Sequence, residues 1–379
     1  MVDFTISEEQ QLIRDTAREF AEKELIPNAG RWDKELHFPR EAIEKAAELG
    51  FLGVTIPEEY GGSHLGNVTL CMLLEEINRG CASTGVTISV HNSLFCSPIV
   101  KHGNEDQKQR YLPKMATGEW LGGYCLSEAG AGSDAAGLRC AATKDGDDWI
   151  LDGSKLWITT GSEADVFIIF VRTGEDRVGG ISAFIVEKTM KGFGVGKKEE
   201  KLGIRASPTT EILLDNVRVP AANMLGDEGS GFKIALDTLD GGRLGIASQS
   251  LGIGRACLEA SIQYANEREQ FGRPIGRFQA IQWKIADMAT EIDAARLLTW
   301  RAADKRDRTG RCTMEAAQAK LLASRTANKA AREAVQIHGG AGYTREFPVE
   351  RYMRDARITE IYEGATDIQR LVIARNLLG

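Results

Sequence analysis

Histidine is scarce in this chain, five residues in 379, and the five are too scattered to share a metal. The cysteines, Cys71, Cys81, Cys96, Cys125, Cys140, Cys257 and Cys312, are odd in number, dispersed, and without a C-x-x-C pair. This excludes a zinc framework or disulfide scaffold and predicts reduced thiols packed as small apolar residues. No apolar run is long enough to span a bilayer. The opening Met1-Val2-Asp3-Phe4-Thr5-Ile6-Ser7-Glu8-Glu9-Gln10 has neither a signal-peptide apolar region nor an Arg-rich transit pattern, so residence in the cytoplasm is expected. A basic excess is missing too. The net charge of −7 argues against nucleic acid or an anionic membrane as a partner. Nor is there a Walker A sequence, or a G-x-G-x-x-G between a parallel strand and a helix, so nothing points to a P-loop or a Rossmann domain.

What is present is an ordinary globular composition, 42% hydrophobic and 27% charged, long enough for two or three domains. From Ser7 to about Thr117 the apolar spacing is helical: Leu12, Ile13, Ala17, Phe20 and Ala21, then Ile43, Ala46, Ala47 and Leu49, then Leu70 to Ile77 and Val86 to Lys101, with a short helix at Gln107 to Tyr111. Pro57 to Gly62 reads as a turn. Near Gly122 the texture changes. Trp149-Ile150-Leu151, Asp152-Gly153 and Lys155 to Thr159 predict a strand, a two-residue turn and a strand. Val166 to Val171, Ile181 to Val186 and Glu211 to Leu214 read as further strands. Long Ala- and Leu-rich helical patterns then cover Ile234 to Asn266, Gln279 to Asp307, Met314 to Gln336 and Thr366 to Leu378. The expectation is a multidomain α+β chain: an N-terminal α-helical domain over residues 1–120, a central antiparallel β domain over 121–230, and a C-terminal four-helix bundle over 231–379.

Ile361-Tyr362-Glu363-Gly364-Ala365-Thr366-Asp367-Ile368-Gln369-Arg370 carries the leading catalytic candidate. Thr366 and Gln369 have capping-box spacing, which places Glu363 in a glycine-containing turn just ahead of a helix. Among apolar neighbours its carboxyl would rise in pKa, as a general base near neutral pH requires. An acid stabilised by the helix dipole is the plainer alternative. Glycine clusters at Gly130-Ala131-Gly132, Gly229-Ser230-Gly231 and Gly339-Gly340-Ala341-Gly342 could each cradle a phosphate or simply end a helix. Arg243 and Arg268 suit phosphate recognition, or ordinary surface salt bridges. Trp157 beside Thr159 could stack on a planar ring, or fill the core.

Together these segments resemble the acyl-CoA dehydrogenase family of flavoproteins, most closely its short-chain branch, over essentially the whole chain. Cys125-Leu126-Ser127-Glu128-Ala129-Gly130-Ala131-Gly132-Ser133-Asp134 is similar to the family's first signature. Gln336 through Gly339-Gly340-Ala341-Gly342-Tyr343, with Glu346, Arg351 and Asp355, is similar to its second, and Ile-Tyr-Glu-Gly follows. The resemblance implies FAD, shared across a dimer interface within a homotetramer (a dimer of dimers), and an acyl-CoA substrate. By matching position Leu126, Ser127, Trp157 and Thr159 would contact the flavin ring. Arg268, Phe271 and Gln279 would hold the FAD of the neighbouring subunit, and Gln336, Gly339 and Gly340 its adenosine diphosphate part. Thr366 and Asp367 would border the adenosine, and Ser133, Asp240, Arg243 and Gly364 the substrate.

Glu363 matches the catalytic base. Some branches carry that carboxylate on the helix of Asp240 to Arg243, but here the matching position is Gly242. The implied chemistry is removal of the α-proton by Glu363 as the β-hydride passes to the flavin, giving a trans-2-enoyl-CoA, with electrons leaving through electron-transfer flavoprotein. Three departures from the family pattern stand out: Ala129 where Pro is usual, Ala365 where Thr is usual, and Asp367 where Glu or Gln is usual. Thr84-Gly85-Val86-Thr87 offers no Arg for a dicarboxylic substrate. A branched or cyclic acyl group, or enoyl-CoA reduction, is the nearest alternative. A non-catalytic DNA-associated flavoprotein sits poorly with the negative charge.

Overall fold

The computed structural model describes residues 5–379; Met1 to Phe4, and that part of the leader reading, lie outside the described residues. The first helix, α1 (Glu8–Phe20), starts at a capping box in which the Ser7 hydroxyl accepts from the Gln10 N–H and the Gln10 side chain accepts from the Ser7 N–H, both at 3.1 Å. A π-helical turn, Ala21–Leu25, joins it to α2 (Ile26–Glu35), and α3 (Arg40–Glu48) follows. α4 (Gly66–Gly80) is buried along its whole length from Thr69 to Gly80. The single helix expected over 86–101 is α5 (Ala82–Val90), a π turn at His91–Cys96, and α6 (Ser97–His102). α7 (Glu105–Ala116) begins at an Asn104–Gln107 capping box and runs through Pro113, well beyond the short helix that the apolar spacing predicts.

One sheet then forms from β1 (Gly122–Cys125), β2 (Ala141–Asp145), β3 (Asp148–Thr159), β4 (Val166–Arg172), β5 (Ile181–Glu187), β6 (Phe193–Lys198), β7 (Thr209–Pro220) and β8 (Met224–Leu225). Its order is β6-β7-β3-β2-β4-β5-β8, with β1 paired to β4. Most pairings are antiparallel; β1–β4 and β2–β4 are parallel. β4 and β5 are buried on both faces, which explains their unbroken apolar sequence. The hairpin expected at Asp152-Gly153 is not there. β3 runs through those residues as one strand, and its register against β7 shifts between Leu151 and Gly153. Gly153, at φ +135°, takes up a bulge that a Cβ would crowd against Cys140. The hairpin turn lies one Asp-Gly earlier, between Asp145 and Asp148, with Gly146 at φ +64°. Both dipeptides supply a positive-φ residue, and the long partner strand β7 holds β3 straight across the second.

The remainder is helical: α8 (Gly231–Glu267), a small hairpin of β9 (Glu269–Gln270) and β10 (Arg273–Pro274), α9 (Gln279–Thr309), α10 (Thr313–His338), α11 (Val349–Ile358) and α12 (Thr366–Leu378). α8, α9 and α10 pack on one another, and α4 packs along α8 and α9. α12 lies against α10 and leaves Leu371, Leu377 and Leu378 exposed. α11, which the apolar spacing does not reveal, bridges α10 and α8. All seven cysteines are buried and unpaired. No helix of the described residues is long and apolar enough to cross a membrane, and the described residues contain no cluster of three or more His, Cys, Asp or Glu able to hold a metal.

Candidate active site

Between α11 and α12 the chain makes a turn with two consecutive left-handed residues, Glu363 at φ +51° and Gly364 at φ +96°. A glutamate in that region is strained and is held there by its surroundings. The capping box expected from Thr366 and Gln369 does not form. Ala365 is the N-cap, without a side-chain bond. The Thr366 N–H and hydroxyl both donate to the Glu360 carbonyl, at 3.0 and 3.2 Å, and the buried Gln369 amide donates to the Gly364 carbonyl at 2.8 Å. Both side chains fold the turn back on itself and leave the helix end uncapped.

The turn aims Glu363 at α8. A Cβ built at Gly242 would overlap Glu363 Oε2 and stand 2.8 Å from Leu94 Cδ2, so the carboxyl rests against bare backbone. Oε2 is buried with no hydrogen-bond partner, although the residue as a whole is only half-buried. Desolvation pushes the Glu363 pKa up to about 7, opposed by the nearby charges of Lys320 and Arg243. Two phenols face it. Tyr362 and Tyr124 are both driven well above the ordinary tyrosine range, by burial first and by Glu363 second. The Tyr362 hydroxyl donates to Gln249 Oε1, and Gln249 Nε2 donates to the Ala82 carbonyl at 3.0 Å.

Arg243 forms no surface salt bridge. Its Nη1 donates to Asp240 Oδ1 at 2.8 Å with both side chains sealed, while Asp240 Oδ2 accepts from Thr313 Oγ1 at 2.6 Å and Arg243 Nε has no partner. Gly364 enters through its carbonyl, which also accepts from Lys320 Nζ at 2.6 Å.

Tyr124 lies on β1, which runs directly into the Leu126-Ser127 loop. Beneath that loop the fully buried Lys155 donates to the Leu126 carbonyl at 3.3 Å and to Glu128 Oε1 at 2.6 Å. Glu128 also accepts from the Arg139 and Cys140 N–H groups. The Leu156 N–H donates to the Ser127 carbonyl at 2.9 Å, which ties the loop to the strand end that bears Trp157 and Thr159. Trp157 is no core residue: it is 60% exposed at φ +63°. Thr159 is half-buried, and the adjacent Thr160 hydroxyl is sealed without a partner. Gly130 and Gly132 have nothing within 4 Å of a built Cβ, so packing does not require them, and Ser133 beside them is exposed.

Arg268, Phe271, Gln279, Gln336, Gly339 and Gly340 gather elsewhere. They sit where α8 and α10 end and α9 begins, and all six are exposed, Phe271 by 93%. The stack of Tyr264 on His338, 4.2 Å between ring centroids, holds those ends together. Along α8 this cluster is about 40 Å from Gly242 at 1.5 Å per residue. One chain therefore does not bring it to Glu363. Thr366 and Asp367 stay with the turn, with Asp367 exposed and paired to Arg370. Lys320, Lys155 and Gln249 escaped the sequence reading. For Lys320 a signal existed: it shares the alanine face of α10 with Ala316, Ala323 and Ala327, where a lysine has no packing reason to be.

The residues present fit a flavin dinucleotide. An exposed tryptophan beside hydroxyls and backbone N–H groups suits a planar heteroaromatic ring, and the open glycines with Arg268 suit a diphosphate. Comparison with known proteins agrees. The chain matches the models of the acyl-CoA dehydrogenase N-terminal domain over residues 7–119, middle domain over 123–217 and C-terminal domain over 229–378. It is 50% identical over 374 residues to the short-chain specific acyl-CoA dehydrogenase of Rattus norvegicus mitochondria, covering 98% of this chain and 91% of that one. Butyryl-CoA dehydrogenase from Megasphaera elsdenii superposes with a TM-score of 0.98 at 43% identity over the full length of both chains. A chain solved with the electron transferring flavoprotein work on Acidaminococcus fermentans gives 0.98 at 47% identity, again over both full lengths. The chain thus belongs to the acyl-CoA dehydrogenase family and is an FAD-dependent oxidoreductase.

Proposed function

We propose that this enzyme dehydrogenates a short-chain acyl-CoA, with butyryl-CoA as the type substrate, to the trans-2-enoyl-CoA. The observation that carries the reading is the Glu363 carboxyl, sealed over Gly242 with an unpaired oxygen and poised near neutral pH. Glu363 takes the α-proton of the thioester, whose carbonyl is held by the Glu363 backbone N–H as in an oxyanion hole. Bound FAD supplies the acceptor for the β-hydride. Leu126, Ser127, Trp157 and Thr159 hold the flavin ring, and Thr366 and Asp367 border the adenosine. Arg268, Phe271, Gln279, Gln336, Gly339 and Gly340 serve the FAD of a neighbouring subunit, a role supported by their distance from Glu363. Asp240, Arg243, Ser133 and Gly364 line the substrate passage.

Short acyl length is supported by the packing beyond Glu363. One turn along α8 from Gly242, Ser89 fills the position that a Cβ of Gly245 would take. A further turn on, Gln249 is pinned between Tyr362 and Ala82. Seven residues of helix are about 10 Å, so little depth is left for a long chain. The names of the rat and Megasphaera relatives point the same way. The Acidaminococcus likeness supports electron-transfer flavoprotein as the acceptor. A homotetramer acting in the cytoplasm in fatty-acid β-oxidation, with domain boundaries near residues 120 and 230, completes the proposal.

The test is anaerobic titration of the yellow protein with acyl-CoAs graded in length and branching. Bleaching of the flavin should be fastest with butyryl-CoA. A protein that no acyl-CoA bleaches would end the reading.

A further inference from the structure

Lys320 touches the turn of the site but has no role in the proposed reaction, yet it is among the most deeply buried charges in the molecule, with no exposed surface. An ammonium is expensive to bury, several kcal/mol even after relaxation. A methionine would fill the same space on the alanine face of α10 without that cost. The charge therefore needs a reason. Nζ donates to the Gly364 carbonyl at 2.6 Å, the same oxygen that Gln369 reaches from α12. That carbonyl closes the left-handed pair Glu363–Gly364.

Three charged groups face Lys320: Glu363 on the turn, Arg243 on α8, and Glu360 past the end of α11. Two of them are already balanced, Arg243 by Asp240 and Glu360 by Arg357. Glu363 is left, with Oε2 unpartnered. The other titratable groups around Glu363 are Tyr124 on β1 and Tyr362 on the turn, both held as neutral phenols.

We propose that Lys320 is a positioning residue of this site: its ammonium clamps the Gly364 carbonyl so that the strained turn keeps Glu363 over Gly242, and its positive charge faces the carboxylate that must form there. The inference rests on the acyl-CoA dehydrogenation reading. In support, burial lowers the Lys320 pKa to about 8, and Glu363 is the first group that works to raise it again. Loss of that charge removes the largest influence holding Glu363 down against desolvation.

The experiment is stopped-flow flavin bleaching by butyryl-CoA from pH 5.5 to 9, on wild type, K320M and K320R isolated with bound FAD. Wild-type bleaching, measured first, stands or falls with the functional reading alone. In K320M the acid limb of the rate should move up by about one pH unit, as expected for loss of a neighbouring opposite charge. The limiting rate at high pH should fall about tenfold or more, since the turn is less firmly held. FAD content and KM should stay within about threefold. K320R should keep the limb within about 0.3 unit of wild type. K320M with a wild-type limb and rate overturns the inference, as does a K320R limb displaced as far as that of K320M. Failure of K320M to accumulate while K320R does also overturns it, because the role would then be in folding.

Discussion

Glu76 and Glu363 both carry buried carboxylate oxygen, and their surroundings drive them in opposite directions. Glu76, on α4, accepts from Arg255 at 2.7 Å, Arg18 at 2.9 Å and Arg79 at 3.2 Å. Burial pushes its pKa up, but the hydrogen bonds from Arg18 and Arg255 and their charges outweigh it, so the carboxyl stays below its usual range. Glu76, Arg18 and Arg255, with Glu75 and Arg296, line a cavity of about 280 Å³ between α1, α4, α8 and α9, which shares no residue with the Glu363 site. Glu363 has cations near it too, but neither reaches Oε2, and desolvation wins. Burial alone does not produce a base. Burial that leaves an oxygen unmet brings a carboxyl to the neutral range that the proposed base needs, and Gly242 makes the room for it.

The comparison breaks first at Glu363 itself. Glu363→Gln keeps FAD but should slow flavin reduction by acyl-CoA by about 10⁴-fold, the upper range for loss of a general base. Reduction at the wild-type rate would remove the role. At the other pole, Glu76→Ala removes the carboxylate shared by Arg18, Arg79 and Arg255, each of which keeps a further carboxylate partner, and should cost about 2–3 kcal/mol in denaturant unfolding. Its flavin reduction per folded site should be unchanged. Gly242→Ala places a methyl where Oε2 now lies. The displaced carboxyl should lower the bleaching rate by about 100-fold with little change in global stability, and a wild-type rate would show that the contact is dispensable.

The pH dependence sharpens the contrast last. As the proposed base Glu363 must be ionised to act, so kcat/KM should rise with pH through about 7, below the range near 8 in which Lys320 loses its proton. Because its folded pKa lies above the unfolded value, stability is lost as pH rises from the ordinary carboxylate range to about 7. Glu363→Gln abolishes that loss. The variant should be more stable than wild type by about 3.5 kcal/mol at pH 8, at 1.4 kcal/mol per pH unit, and no more stable at pH 4. For Glu76 the sign reverses: its contribution is present above the ordinary carboxylate range and fades as pH falls through its lowered pKa.

Much of this was legible along the chain. The helical, β and helical order follows from the change of apolar period near Gly122 and its return near Phe232, and those periods are local properties. The strands β4 and β5 were visible because both faces are apolar. The hairpin was misplaced by one Asp-Gly, because choosing between two equivalent turn dipeptides falls to β7, some sixty residues away. The Thr366–Gln369 spacing likewise suggested a cap, where the fold instead spends both side chains on the turn.

By itself, then, the sequence determined the order of the elements, the two signatures with their flavin-suited residues, and a glutamate in a glycine turn before a helix. Only the tertiary structure decided that this glutamate meets Gly242 on α8, that Lys320 from α10 reaches its turn, and that Arg268 and Phe271 belong to a different place from Glu363. The reason is physical. Helix and strand periods arise between near neighbours in the chain, whereas desolvation and ion pairing depend on distances in space that no single segment contains.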